Sequence, residues 1–209
     1  MMRLRHKKWT DRVLSENKDI SSNLDELDQE KIAKSNSIEI GCGLGGFLFS
    51  LVNENKNSFF LGVEINRNAF ASCVKKFASI KETTTNFYIV NAPIEKLFDK
   101  FNDNKFNNIY INFPDPWPRK KEHRRRLTYI DKLKEYHRIL SSDGKLYFRT
   151  DNKDLFNDSV EYFKSSNLFE IQIISPFYVE KENIIPTTEY EQKFRKLNIN
   201  INLIIAKKK

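Results

Sequence analysis

The chain is poor in several of the residues that most often betray a function. It has two cysteines, Cys42 and Cys73, too few for a disulfide framework or a four-cysteine zinc site, so both are expected as reduced thiols. Its three histidines, His6, His123 and His137, are scattered without metal-ligand spacing, and no Ser-His-Asp or Cys-His arrangement is legible; no metal and no triad chemistry are expected. No run of about 18 apolar residues occurs, which argues against a membrane helix. The opening segment, Met1 to Trp9, lacks the apolar stretch and small-residue cleavage site of a secretion signal, which predicts a cytoplasmic protein with no membrane partner. Glycine and proline number only six each, and three of the prolines fall within residues 114–118.

What remains is the composition of an ordinary globular chain. At 209 residues it predicts one domain, with room for an arm or insertion. Hydrophobic residues make up 39% and aromatics 13%, enough for a core of normal size. The net charge is +8, and three short segments exceed it: residues 1–8 carry +4, residues 119–126 carry +5 and Lys207 to Lys209 carry +3, leaving the rest at −4. Clustered cationic side chains on a mildly acidic body are the footprint of a polyanion site, because they displace condensed counterions.

From residue 37 short apolar runs alternate with helix-like stretches, which predicts repeated strand-helix units and a mostly parallel sheet. Strands are expected at 37–41, 58–63, 86–91, 107–112, 144–150, 168–174 and 199–206, and helices at 45–55, 67–80, 93–101, 126–140 and 152–165. Residues 113–125 are expected as an irregular loop, residues 175–198 as a second one, and residues 1–36 as a separable, partly helical basic arm ahead of a domain over 37–209.

Ser37 to Phe47 runs from an apolar strand through Gly41, Gly43, Gly45 and Gly46 into a helix. Glycines there let the backbone turn sharply and approach a ligand. The spacing fits both the dinucleotide fingerprint and the Glu39-x-Gly41-x-Gly43 start of an S-adenosylmethionine site, and does not choose between them. Glu64 ends the second strand, where a carboxylate can accept both ribose hydroxyls, and Asn91 ends the third, where an amide can bond an adenine edge. All three features fall at the carboxyl edge of successive strands, where open α/β sheets bind ligands, and together they favour a nucleoside cofactor.

After the fourth strand comes Asn112-Phe113-Pro114-Asp115-Pro116-Trp117-Pro118, followed by Arg119, Lys120, Lys121, Glu122, His123, Arg124, Arg125 and Arg126. Prolines flanking Asp115 stiffen the loop that presents it. Trp117 offers a flat apolar surface to a base, and the cationic run beside it can hold phosphates.

Taken together, these motifs resemble the bacterial tRNA (guanine-N(7)-)-methyltransferases. The resemblance rests on Pro114–Arg126 with its Pro-Asp-Pro-Trp-Pro and basic string, Glu39–Gly41, Gly62–Glu64, Thr150-Asp151 and Pro186–Glu191, and spans residues 37–206. It implies an α/β, Rossmann-like class I methyltransferase fold: a seven-stranded mostly parallel sheet with an antiparallel last strand and helices on both faces. It also implies S-adenosyl-L-methionine as cofactor and a guanine in the variable loop of tRNA as acceptor. By position, Glu39, Gly41, Gly43, Gly45, Glu64, Asn91 and Asp115 would bind the cofactor, with Asp115 also catalytic. Arg119, Asp151, Thr188, Glu189, Tyr190 and Glu191 would contact the substrate, and Lys121, Glu122, His123, Arg124, Arg125 and Arg126 the RNA. The sequence departs from the family at Asn91, often Asp, and at Arg119, often Lys; a guanidinium forks where an ammonium is a point charge. Guanine N(7) has an in-plane lone pair and no proton at neutral pH, so the implied reaction needs positioning rather than a general base. A dehydrogenase, an exocyclic-adenine methyltransferase and a non-catalytic RNA-binding protein are the alternatives, and a monomer and a homodimer are both compatible with the sequence.

Overall fold

The second strand shows why the sheet forms. In β2 (Ser37–Ile40) every residue is buried, as in β3 (Phe60–Glu64), and β4 (Phe87–Asn91) is buried up to its last residue. Strands with no solvated face are those of a parallel sheet covered on both sides. A computed structural model describes residues 8–174 and 188–209. Its remaining strands are β1 (Ser21–Asn23), β5 (Phe106–Asn112), β6 (Leu140–Thr150), β7 (Phe169–Ile174) and β8 (Asn202–Lys208). They form one eight-stranded sheet in the order β1-β4-β3-β2-β5-β6-β8-β7. Neighbours from β1 to β6 are parallel, and β8 is antiparallel to both β6 and β7.

Side-chain alternation divides the core. Leu61, Val63, Tyr88, Val90, Ile109 and Ile111 face one layer, built with α2 (Gln29–Lys34), α5 (Ile130–Ile139) and α6 (Lys153–Ser166). Phe60, Phe87, Ile89 and Tyr110 face the other, under α3 (Gly46–Glu54) and α4 (Arg67–Ala78). The period of two matches the pleat. Asn66 caps α4 by accepting from the amides of Asn68 and Ala69, and Asn152 caps α6 through the amide of Leu155.

The expected α/β architecture with an antiparallel C-terminal strand is therefore present, with several local differences. The sheet has eight strands, because Ser21–Asn23 pairs parallel with β4 although it carries no apolar signal. Residues 8–36, expected as an arm, make contacts with the rest of the chain. Its helix α1 (Lys8–Ser15) packs Val13 and Leu14 on the core and pairs Asp11 with Arg67 at 2.8 Å, while Ile32 lies in the main core. The helix expected over 93–101 is two short 3-10 turns, Ile94–Lys96 and Phe98–Lys100, begun by Pro93. Residues 120–125, expected to be irregular, form a 3-10 turn, and α7 (Glu189–Lys196) lies inside the second expected loop.

The order of the strands reverses at β2, so the carboxyl ends of β2 and β5 diverge into a crevice. β8 runs the other way: Asn202 opposes Thr150, and Lys207 opposes Lys145. The C-terminal lysines consequently sit at the end of the sheet remote from that crevice, where Lys208 Nζ donates to Asn104 and to the Leu140 carbonyl at 2.7 and 2.9 Å.

Candidate active site

The crevice is bounded on one side by the glycine turn. Gly43 and Gly45 hold φ of +54° and +77°, left-handed values that other residues adopt only at a cost. A Cβ on Gly45 would lie 2.4 Å from the Cys73 sulfur, whereas one on Gly43 would meet no atom within 4 Å. Gly45 thus lets the turn seat against α4, and Gly43 opens onto free space. Cys42 and Cys73 are free and buried. Contact with Cys73 and burial push the Cys42 thiol well above its usual range, which leaves it unsuited to act as a nucleophile.

Two carboxylates flank the turn and differ in setting. Glu64 accepts from the amide of Gly43 at 2.8 Å and from that of Asn66 at 2.6 Å, one bond to each oxygen, and each oxygen keeps a further lone pair. The adjoining Ile65 is 68% exposed and Leu44 in the turn 54%, an unusual outward display of large apolar side chains at the mouth of a polar crevice. Asn91 donates its Nδ2 to the carbonyls of Glu64 and Ile65 at 2.7 and 3.2 Å, which orients its Oδ1 as the remaining acceptor. Register confirms the grouping, since Glu64 and Asn91 are directly opposed.

Glu39 is buried. Its Oε1 accepts from Asn112 at 2.9 Å, and its Oε2 has no hydrogen-bond partner among the described residues. Burial pushes its pKa up to about 7; the Asn112 bond and the charge of Arg149 pull it down, while Glu64 adds to the rise. Asn112 in turn accepts at Oδ1 from Arg149 Nε at 2.8 Å, and Arg149 Nη1 donates to Glu191 Oε2 at 2.7 Å. Arg149 and Glu191 are both fully buried. Burial lowers the Arg149 pKa to about 10 against the opposing pull of Glu191 and Glu39. These four side chains come from β2, β5, β6 and α7.

The proline loop leaves β5 on the other side of the crevice. Phe113 and Trp117 adopt φ of +49° and +42°, a strain of about 1–3 kcal/mol each that surrounding contacts must offset. The Phe113 amide donates to the Arg149 carbonyl at 2.8 Å. Arg126 donates Nε to the Pro116 carbonyl at 2.8 Å and Nη2 to that of Trp117 at 3.4 Å, and its Nη1 meets Asp158 at 2.5 Å. The guanidinium of Arg125 lies 4.7 Å from the centre of the Trp117 ring. Held in this way, the loop presents Asp115 exposed at the carboxyl edge.

The structure brings Glu39, Gly41, Gly43, Gly45, Glu64 and Asn91 to the edge of the sheet where the Asp115 loop also begins. Arg119, Lys120, Lys121, Arg124 and Arg125 are exposed, as an RNA contact requires. Arg126 is not: 2% exposed and tied to Asp158, it braces the loop from beneath. Glu191 likewise faces Arg149 rather than solvent, and Thr188 is buried with its Oγ accepting from the Glu191 amide at 2.8 Å. A buried opposite charge or cap, which sequence spacing does not reveal, accounts for all three placements. His123 is mostly covered, with Nδ1 3.3 Å from the Tyr162 hydroxyl. Asp151 is half-buried in an open cleft of about 300 Å³ with Lys153, Phe156, Asn157, Ile199, Asn200 and Asn202. Residues 1–7 and 175–187, and the side chains of Glu189 and Tyr190, lie outside the described residues. Among the described residues no cluster of metal-ligating side chains occurs, and no helix is long and apolar enough to cross a membrane. Sequence reasoning missed Asn112, Arg149, Ile65 and Asp158. Only Arg149 left a trace, as a charge inside the apolar strand Leu146-Tyr147-Phe148.

Residues 33–203 match the family described as "Putative methyltransferase". The chain is 37% identical over 219 residues to a tRNA (guanine-N(7)-)-methyltransferase of Mycoplasma mycoides subsp. mycoides SC, covering 99% of each. It is 34% identical over 225 residues to a protein of the same name from Clostridium botulinum, again covering 99% of each. Among solved structures, an antibiotic-related methyltransferase superposes with a TM-score of 0.59 at 18% identity, over 88% of this chain and 92% of that one, a likeness of fold. With full-length identity at this level and the glycine turn, strand-end carboxylate and proline loop in place, the chain belongs to the tRNA (guanine-N(7)-)-methyltransferase family.

Proposed function

We infer that the protein transfers the methyl group of S-adenosyl-L-methionine to N(7) of a guanine in the variable loop of tRNA. The observation that carries this reading is the convergence, at one edge of the sheet, of a nucleoside-type crevice and a proline-stiffened carboxylate followed directly by exposed cations. The crevice fits the cofactor on its own terms. Gly43 opens onto free space, Glu64 retains acceptor capacity for ribose hydroxyls, Ile65 and Leu44 offer apolar surface to a purine, and Asn91 Oδ1 can accept from an exocyclic amine. Glu39 Oε2 is a buried acceptor without a donor among the described residues. Asn91 serves where the family often has Asp because its two donated bonds fix the oxygen outward.

Bound S-adenosyl-L-methionine supplies an electrophilic sulfonium methyl. Guanine N(7) attacks it with an in-plane lone pair, so no residue need remove a proton, and alignment can contribute about 7–11 kcal/mol at best. Asp115, Asp151, Glu189 and Glu191 are the candidates to accept from the ring NH and amino group, which distinguish guanine from adenine, and a carboxylate near the reacting centre favours the cationic methylated purine. Asp151 and the Thr188–Glu189–Tyr190–Glu191 segment are proposed to position the substrate, and Arg119, Lys120, Lys121, Arg124 and Arg125 to grip phosphates. The test is methyl transfer from labelled S-adenosyl-L-methionine to tRNA, followed by mapping of the product nucleotide. 7-Methylguanosine in the variable loop is expected; label in an adenine, or no transfer to any tRNA, overturns the reading.

A further inference from the structure

Three buried ionisable side chains at the back of the site form one chain, Glu191 bonded directly to Arg149 and Arg149 joined to Glu39 through the Asn112 amide. Arg149 lies on β6 with its guanidinium 4.7 Å from the centre of the Phe47 ring, the second residue of α3. It donates toward Asn112 and toward Glu191, and Asn112 passes the connection to Glu39. The orientation of Asn112 is forced: its oxygen must face the guanidinium and its NH₂ the carboxylate, since the reverse opposes donor to donor and acceptor to acceptor. Arg149 also touches the proline loop, because its carbonyl receives the Phe113 amide at 2.8 Å. Phe113 in turn packs against Phe194 of α7 at 5.8 Å. On its outer face α7 is solvated at Gln192 and Lys193. Its hold on the sheet thus includes one ion pair and one aromatic contact, both linked to Arg149.

We propose that Arg149 is a positioning residue that couples the seating of α7, on the substrate side, to the orientation of Glu39 beside the glycine turn, on the donor side. The proposal rests on the function inferred above. A buried guanidinium bonded to both Asn112 and Glu191 has competing demands on one rigid fork, so a shift of Glu191 moves the plane that Asn112 and Phe47 rest on. Substrate seating α7 therefore completes the donor site, and the donor seats α7; the coupling is reciprocal by linkage.

The test uses the full chain and measures S-adenosylhomocysteine affinity, tRNA KM and kcat for Glu191→Gln, Arg149→Met, Arg149→Lys and the Glu191→Gln/Arg149→Met pair. Glu191→Gln is expected to weaken S-adenosylhomocysteine binding about tenfold, although α7 lies on the substrate side. The same change in the Arg149→Met background should add less than about twofold. Arg149→Lys, keeping the charge but losing the fork, should restore thermal stability without restoring the coupling. If Arg149→Met does not fold, Arg149→Lys takes its place in the pair with the same expectation. Unchanged S-adenosylhomocysteine affinity in Glu191→Gln, or effects that multiply independently in the pair, overturn the coupling. A wild-type protein that binds no S-adenosylhomocysteine overturns the function itself, a distinct outcome.

Discussion

Replacing Glu39 by glutamine tests the electrostatics of the donor side directly. The carboxyl is buried, and its pKa rises from 4.5 to about 7, chiefly through loss of water, with the Asn112 bond and Arg149 opposing the rise. Between those values the native state holds a proton that the unfolded chain has released. Stability from this group is thus complete below pH 4.5, falls as pH rises, and is lost above about 7. A displacement of that size corresponds to about 3 kcal/mol as an upper figure. Glutamine keeps the shape and the oxygen that accepts from Asn112 but cannot ionise. Urea denaturation of both proteins between about pH 5 and about pH 8 should show the wild type losing up to about 2.5 kcal/mol relative to Glu39→Gln as pH increases. Curves that stay parallel within about 0.5 kcal/mol across that range would refute the assignment of a raised carboxyl.

Asp115→Asn should leave S-adenosylhomocysteine binding within a few-fold of wild type while abolishing most turnover; wild-type kcat in a methyl-transfer assay removes Asp115 from the centre. Arg126→Ala should lower stability by about 2–3 kcal/mol, because it unties the Pro116 and Trp117 carbonyls, and urea melts will read this. Arg124→Ala, at an exposed position, should instead leave the melt unchanged, weaken tRNA binding and reduce the salt slope of log affinity by about one unit; a reversed pattern contradicts the division between brace and grip. Gly45→Ala should cost about 2–4 kcal/mol, from a left-handed φ and a Cβ driven into the Cys73 sulfur, and a variant as stable as wild type would refute the close approach.

Much of this architecture was legible because its causes are local. Runs such as Phe60–Glu64 and Phe87–Asn91 are apolar over a strand's length and buried on both faces, and glycines with positive φ mark the turn whatever surrounds them. What was illegible depends on partners distant in sequence. Ser21–Asn23 becomes a strand only because β4 offers an unpaired edge. Arg126 reads as one more cation until Asp158, 32 residues away, draws it inward. Glu191 likewise reads as one more surface carboxylate until Arg149, 42 residues away, pairs with it in the interior. A charge run in sequence reports the presence of charge and says nothing of which members face water.

The three-residue strand β1 also has a protective consequence. It pairs with the edge of β4 over Ile89–Asn91, the carboxyl half of a strand, Phe87-Tyr88-Ile89-Val90, that is uncharged and rich in β-formers. Such an edge, once bared, is a template on which other chains can polymerise. A short, polar strand anchored by the Tyr88 hydroxyl to Ser22 at 2.6 Å shields that template while offering little to recruit a further chain. Trimming the chain to residues 37–209 would remove this guard, and self-association would follow before any loss of chemistry was noticed.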